Sequence, residues 1–189
     1  MDKKLLYIST VPVGVVINII GGEIASFLKI PLYLDSIGTI LNGCLLGPIG
    51  GALTGLISNL VLGLISDPTY IPFALVNIVI GLISGYIAYN YGYSLKNAVI
   101  LGIVLGIVCP IIGTPIAVYL FGGLTGGGVD FITALLIKSG SDILSAAFLA
   151  RLPTNLVDKV LSAIIVYYII KTLPPHIINT LKSGNIESK

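Results

Sequence analysis

The sequence predicts an all-α membrane protein, a bundle of six transmembrane helices with a helical outer segment between the fifth and the sixth. Three observations lead there. Of 189 residues, 56% are hydrophobic and only 10% charged, and the mean hydropathy is +1.06, whereas a soluble domain carries about 25% charged residues. The apolar runs recur at lengths near the roughly 20 residues that a helix needs to cross a bilayer. The length then allows about six such spans with short loops and leaves no room for a soluble catalytic domain, so residues 1–189 read as one integral membrane domain.

The elements follow in order. A first helix is expected over 5–28, because Met1-Asp2-Lys3-Lys4 leads into an apolar run with no Ala-x-Ala site and so reads as a retained span. A second helix is expected over 35–46 and a third over 50–65, both shorter than a full span. They meet at Gly47-Pro48, where proline ends one run and glycine tolerates the bend. A fourth helix is placed at 71–89, a fifth at 98–121 and a sixth at 155–173. The 33 residues from Gly122 to Thr154 open with GGLTGGG and carry Lys138, Ser139, Gly140, Ser141 and Asp142 at their centre. Hydrocarbon penalises such a centre, so a short helix pair at the outer end is expected, with Gly126 to Gly128 hinging a lid.

Orientation follows from lysine placement in short flanks. An even span count puts both termini on one side with Lys3, Lys4, Lys96, Lys171, Lys182 and Lys189, which makes that side cytoplasmic in a cell membrane. The other end collects Lys29, Lys138, Arg151 and Lys159 with Asp35, Asp67, Asp130, Asp142 and Asp158.

Several classes of chemistry have no support. There is no phosphate-binding glycine loop of the Gly-x-x-x-x-Gly-Lys-Ser/Thr kind. His176, the sole histidine, follows Pro174-Pro175 in a tail and reads as solvated. The carboxylates lack metal-ligand spacing. Cys44 and Cys109 sit in apolar runs and read as packed free thiols. Beyond Lys3-Lys4 no basic cluster points to nucleic acid. No catalytic residue, metal site or cofactor is expected, and the chain does not read as an enzyme.

What remains is a polar constellation. Asp35 and Asn42 belong to the second predicted helix, Asn59 to the third, Asn77 to the fourth, and Asn155, Asp158 and Lys159 to the sixth, with Asn155 and Lys159 four apart on one face. Asparagines also join transmembrane helices, at about 0.6 kcal/mol each, but a set converging in an apolar vessel is what a small-molecule pocket needs. The expected liners are Asp35, Asn59, Asn77, Asn155 and Lys159, with Tyr33, Tyr70, Phe73 and Tyr119 as aromatic walls. They suit a small neutral or zwitterionic ring, pyridoxine-like, nucleoside-like or pyrimidine-like, better than a large flavin. Asn155, read as opening the sixth helix beside Pro153, would also offer free backbone N–H groups.

Small residues recur every four positions: Gly14, Asn18, Gly22 and Ser26 on the first helix, Gly47, Gly51, Gly55, Asn59 and Gly63 across the third, and the pairs Gly81-Gly85 and Gly102-Gly106. Such spacing lets backbones approach closely. Internal packing accounts for the later stripes, and for the first helix a surface that docks another membrane subunit is equally expected.

The run LKIPLYLDSIGTILNGCLLGPIGGALTGLISNLV, residues 28–61, resembles the substrate-binding S components of energy-coupling factor (ECF) vitamin transporters. Leu152-Pro153-Thr154-Asn155-Leu156-Val157-Asp158-Lys159 looks like the Pro-x-Asn-x-x-Lys type of entry to the last helix in riboflavin-type members. The resemblance implies a six-helix bundle that binds a vitamin or vitamin-like metabolite at its outer side. It also implies partners: a membrane-embedded coupling subunit and two ATPases, which topple the bundle to release substrate inside. The family's first helix carries a small-xxx-small docking motif, here Gly14, Asn18, Gly22 and Ser26. Its pockets often use tryptophan, and this chain has none, which counts against a thiamine-type site. The alternative is a membrane receptor module that senses a small molecule without transport. A standalone secondary transporter would show inverted repeats, and no internal repeat is evident at half length.

Overall fold

The computed structural model describes residues 3–174. His176 and the last two lysines, Lys182 and Lys189, lie outside them. The described chain forms α1 (Lys3–Leu28), α2 (Ile37–Leu46), α3 (Pro48–Ile65), a 3-10 turn (Pro68–Tyr70), α4 (Ala74–Tyr91), α5 (Leu95–Phe121), α6 (Val129–Lys138) and α7 (Ile143–Thr172). Among the described residues five helices are long and apolar enough to cross a membrane: α1 from Tyr7, then α3, α4, α5 and α7. Ten residues of α2 rise about 15 Å, half of a hydrocarbon core of roughly 30 Å.

α2 runs back down along α1 from the extended connector 29–36 and ends where the Tyr7 hydroxyl donates to Leu46 O at 3.2 Å. Its residues Gly38 to Gly43 are all buried, which places this short helix at the centre of the bundle. Gly47, at φ 84°, then reverses the chain into α3, and glycine alone takes that conformation without steric cost.

The helices touch through their glycines. A Cβ on Gly51 of α3 would come within 2.8 Å of Gly81 Cα on α4. On α5, a Cβ on Gly102 would lie 2.5 Å from Val160 Cα of α7, and one on Gly106 would lie 2.7 Å from Leu156 Cα. Lipid offers no hydrophobic drive between helices, so close backbone packing of this kind holds them together.

The stripe on α1 behaves the same way, which corrects the expectation of an outward docking face. A Cβ on Gly14 would collide with Asn42 Nδ2, and Gly22 faces Asp35 and Leu62. Asn18 is fully buried: its Nδ2 donates to Thr39 Oγ1 (2.8 Å) and Ser58 Oγ (2.9 Å), and its Oδ1 accepts from the Gly38 N–H (2.7 Å). Ser26 lies at the rim of the cavity described below. The side of α1 turned away from the bundle is instead Val13, Val16, Ile20, Ile24 and Phe27.

The last helix departs furthest from expectation. It begins at Ile143 and runs for 30 residues straight through Pro153. Only α6 stands as a separate short helix between α5 and α7, and the expected second member of the pair is the first part of α7. Asp142 supplies the N-cap, its carboxylate accepting from the Ser145 N–H at 3.0 Å. Asn155 is therefore mid-helix, and the free first-turn N–H groups expected beside it do not exist there. Asp35 lies in the connector, one residue before the Ser36 N-cap of α2, rather than within that helix.

Candidate functional site

The connector 29–36, the 3-10 turn and the glycine loop before α6 all meet at one end of the bundle. Beneath them lies a cavity of about 370 Å³, inside the roughly 300–1,000 Å³ typical of small-molecule sites. Its roof is made where loop and connector touch: a Cβ on Gly128 would come within 2.5 Å of Ile30 O, so only glycine lets the two segments close. Below, Ile80 and Cys109 belong both to the cavity wall and to the apolar core of Ile40, Leu46, Leu101, Leu105 and Val166.

Eight of the nine expected liners, Tyr33, Asp35, Asn59, Tyr70, Phe73, Asn77, Asn155 and Lys159, line this cavity. Tyr119 does not. It is 80% exposed on the far side of α5.

The charged wall is built on α7. Lys159 is buried, with Nζ 2.6 Å from Asp158 Oδ2 and 3.6 Å from Asp35 Oδ1, and it donates to Ser36 Oγ at 2.7 Å. The ammonium also sits 5.7 Å from the centroid of the Tyr33 ring. Asp158 turns its other oxygen to the connector, accepting from the Tyr33 N–H (3.1 Å) and the Leu34 N–H (2.9 Å). One buried ion pair thus ties the connector, including Leu34 at the unusual φ of 51°, to α7.

Arg151, the only arginine, stands one turn before Asn155 and two before Lys159. It lines the same cavity and holds the glycine loop, donating to Gly123 O (3.2 Å) and Thr125 Oγ1 (3.4 Å), with Asp130 Oδ1 at 3.9 Å. Asp130 in turn accepts from the Thr125 N–H (2.7 Å) and the Gly126 N–H (2.6 Å). Sequence reasoning missed Arg151, Asp67, Cys109 and the glycine loop as liners. The i, i+4, i+8 series of Arg151, Asn155 and Lys159 was the signal for the first, hidden because the helix was expected to start after it.

The opposite wall is an amide pair. Asn77 Nδ2 donates to Asn59 Oδ1 (2.7 Å) and to Asp35 O (3.2 Å), and Asn59 Nδ2 donates to Tyr70 O (2.9 Å). Asn77 Oδ1, buried, has no hydrogen-bond partner among the described residues. Phe73 stacks on Phe121 with centroids 6.2 Å apart, closing the side next to Gly113.

Burial pushes the hydroxyl of Tyr70, in the 3-10 turn, up to about 12, so it keeps its O–H at neutral pH.

A bundle of membrane helices that encloses a polar-lined cavity at one end and packs solidly beneath it belongs to the class of membrane-embedded binding proteins. The particular family follows from comparison. The family described as ECF transporter, substrate-specific component, matches residues 6–170, and the chain belongs to it. It is therefore a multi-pass membrane protein and a transport-binding subunit rather than an enzyme, with a small-molecule ligand and an ECF module of T component and ATPases as its associates. No curated protein and no solved structure matches the chain.

Proposed function

We propose that this chain captures a vitamin or vitamin-like small metabolite in the cavity under the connector and hands it to its energy-coupling partners for ATP-driven uptake. The carrying observation is the cavity itself, in which Asp35, Asn59, Asn77, Asn155 and Lys159 converge from the connector and three helices with Tyr33, Tyr70 and Phe73 beside them. The convergent amide, carboxylate and ammonium groups suit a single pyridoxine-like, pyrimidine-like or nucleoside-like unit better than a large flavin.

The return of α2 to the level of Tyr7 supports a six-crossing topology, the extended connector and α2 together making the second crossing. On that topology both ends of the chain share the cytoplasmic side of the cell membrane, and the cavity opens outward. The T component and two ATPases are the partners, and they act on the bundle from the other side.

Mass spectrometry of small molecules released on denaturing the purified chain tests this reading. A stoichiometric ring metabolite supports it, whereas a chain that carries nothing and binds no vitamin, nucleoside or pyrimidine by calorimetry sinks it.

A further inference from the structure

α6 is inside out for a helix in water. Thr133 is fully buried and donates to Val129 O of its own helix at 3.3 Å, and the Asp130 carboxylate is turned to the glycine loop. Outward stand Phe131, 71% exposed, then Ala134 and Leu135, with Lys138 closing the strip. Positions i, i+3, i+4 and i+7 share one face of a helix. A helix on a water-facing surface shows the opposite order, so something apolar covers this face.

The neighbouring helix fixes its level. Arg151 of α7 lies 3.9 Å from Asp130 at the start of α6, and residues 139–142 join the end of α6 to Ile143. The ten residues of α6 therefore run antiparallel beside the first turns of α7, 143–151. α7 as a whole rises about 45 Å, the thickness of a bilayer with its headgroup layers, roughly 40–45 Å. With Lys171 in its last turn at the far boundary, its first turns reach the headgroups and upper acyl chains on the cavity side, and α6 lies there with them. The lipid-facing surface of the spans continues at that level, in Leu144 and Leu149 of α7 and Leu120 of α5. Tyr119, exposed beside Leu120, is the residue type that gathers where acyl chains meet headgroups.

We propose that α6 is an interfacial anchor whose partner is the lipid of the leaflet on the cavity side. Phe131, Ala134 and Leu135 enter the acyl chains, as the apolar face of such a helix does to a depth of about 5–10 Å. Lys138 lays its stem along them and carries its ammonium up to the lipid phosphates. A second protein is the poorer occupant, because four side chains fall far short of the roughly 800 Å² per partner that a stable interface takes. The anchor also bears on the binding site. Asp130, on the same helix, accepts from the Thr125 and Gly126 N–H groups of the loop whose Gly128 closes on Ile30 of the connector. Lipid that holds α6 thus holds one end of the cavity roof.

The chain contains no tryptophan, so an introduced one reports alone. Phe131→Trp and Leu135→Trp are compared with Ile107→Trp, on the exposed side of the middle of α5, in phosphatidylcholine vesicles. Each variant is used only with wild-type helicity and elution volume. The quenchers are lipids brominated near the carbonyl end or near the methyl end of the acyl chain, and aqueous iodide. Both α6 variants should emit to the blue of free tryptophan, lose more emission to the carbonyl-end bromolipid than to the methyl-end one, and lose little to iodide. Ile107→Trp should reverse the order of the two bromolipids. Phe131→Ser combined with Leu135→Ser should speed hydrogen exchange in residues 122–128.

Water-like emission with strong quenching by iodide overturns the inference. Quenching by neither agent overturns it as well, since a second copy of the chain then covers the strip. Loss of the bromolipid effect on adding the T component and ATPases would make the face a subunit contact and also overturn it. Unchanged exchange in the serine variant would sever the anchor from the cavity roof.

Discussion

Asp158 shows how much one side chain settles at this site. It takes two backbone N–H groups from the connector and pairs with a buried lysine, so removing it orphans three donors at once. Breaking a buried pair by deleting one partner typically costs about 3–5 kcal/mol. Asp158→Ala should fall at the lower end, because Asp35 remains 3.6 Å from Lys159, and should lower the unfolding midpoint in detergent by several degrees. An unchanged midpoint would mean that the connector is held elsewhere. Asp35, Asn59, Asn77, Asn155 and Lys159 were legible as a set because polar groups at membrane depth are costly and therefore purposeful. Tyr119 was misjudged because a helix rotates by about 100° per residue: six residues beyond Gly113 it has turned roughly 240° away from the wall that Gly113 forms. That the Asn77 amide spends its Nδ2 on Asn59 and Asp35 and leaves its one side-chain oxygen unpaired depends on partners arriving from other segments, and no local sequence pattern encodes that.

Among the elements, the glycine spacing was legible as close packing but its direction was not. Four-residue periodicity says that a stripe exists, while the partner it meets depends on the path of the chain. For α1 the partners are α2, the half-length helix that the connector 29–36 sends back along it, and α3 beside it. Gly14→Leu is therefore expected to wreck the contacts of α1 with Asn42 of α2 and Thr54 of α3. It should depress the unfolding midpoint and weaken ligand binding together, where an outward docking stripe would lose only assembly with the T component. Normal stability and binding with lost assembly would turn α1 outward again. Pro153 misled for a related reason: proline marks helix starts in soluble proteins, but membrane helices accept it internally because neighbours re-satisfy the freed backbone. α5 does the same with Pro110 and Pro115. The better signal for α7 was Asp142, a capping residue directly before an apolar run.

For the molecule as a whole, the decisive relation is between the cavity and the core beneath it. Ile40, Leu46, Leu101, Leu105 and Val166 are at most 2% exposed, and this cluster starts at the cavity floor with Ile80 and Cys109. A polar ligand has no path through such a plug: each buried side chain would have to leave a close-packed arrangement, while the ligand left a polar lining for an apolar one. The bundle can hold its ligand at one end without being able to pass it to the other. The sequence likewise carries no phosphate-binding loop with which to drive a rearrangement by nucleotide hydrolysis. Proteoliposomes containing this chain alone should therefore bind the ligand to saturation, about one per protein, with no time-dependent accumulation in the lumen, with or without ATP. Adding the T component and ATPases should give ATP-dependent uptake, and accumulation by the single chain would show that the core opens unaided.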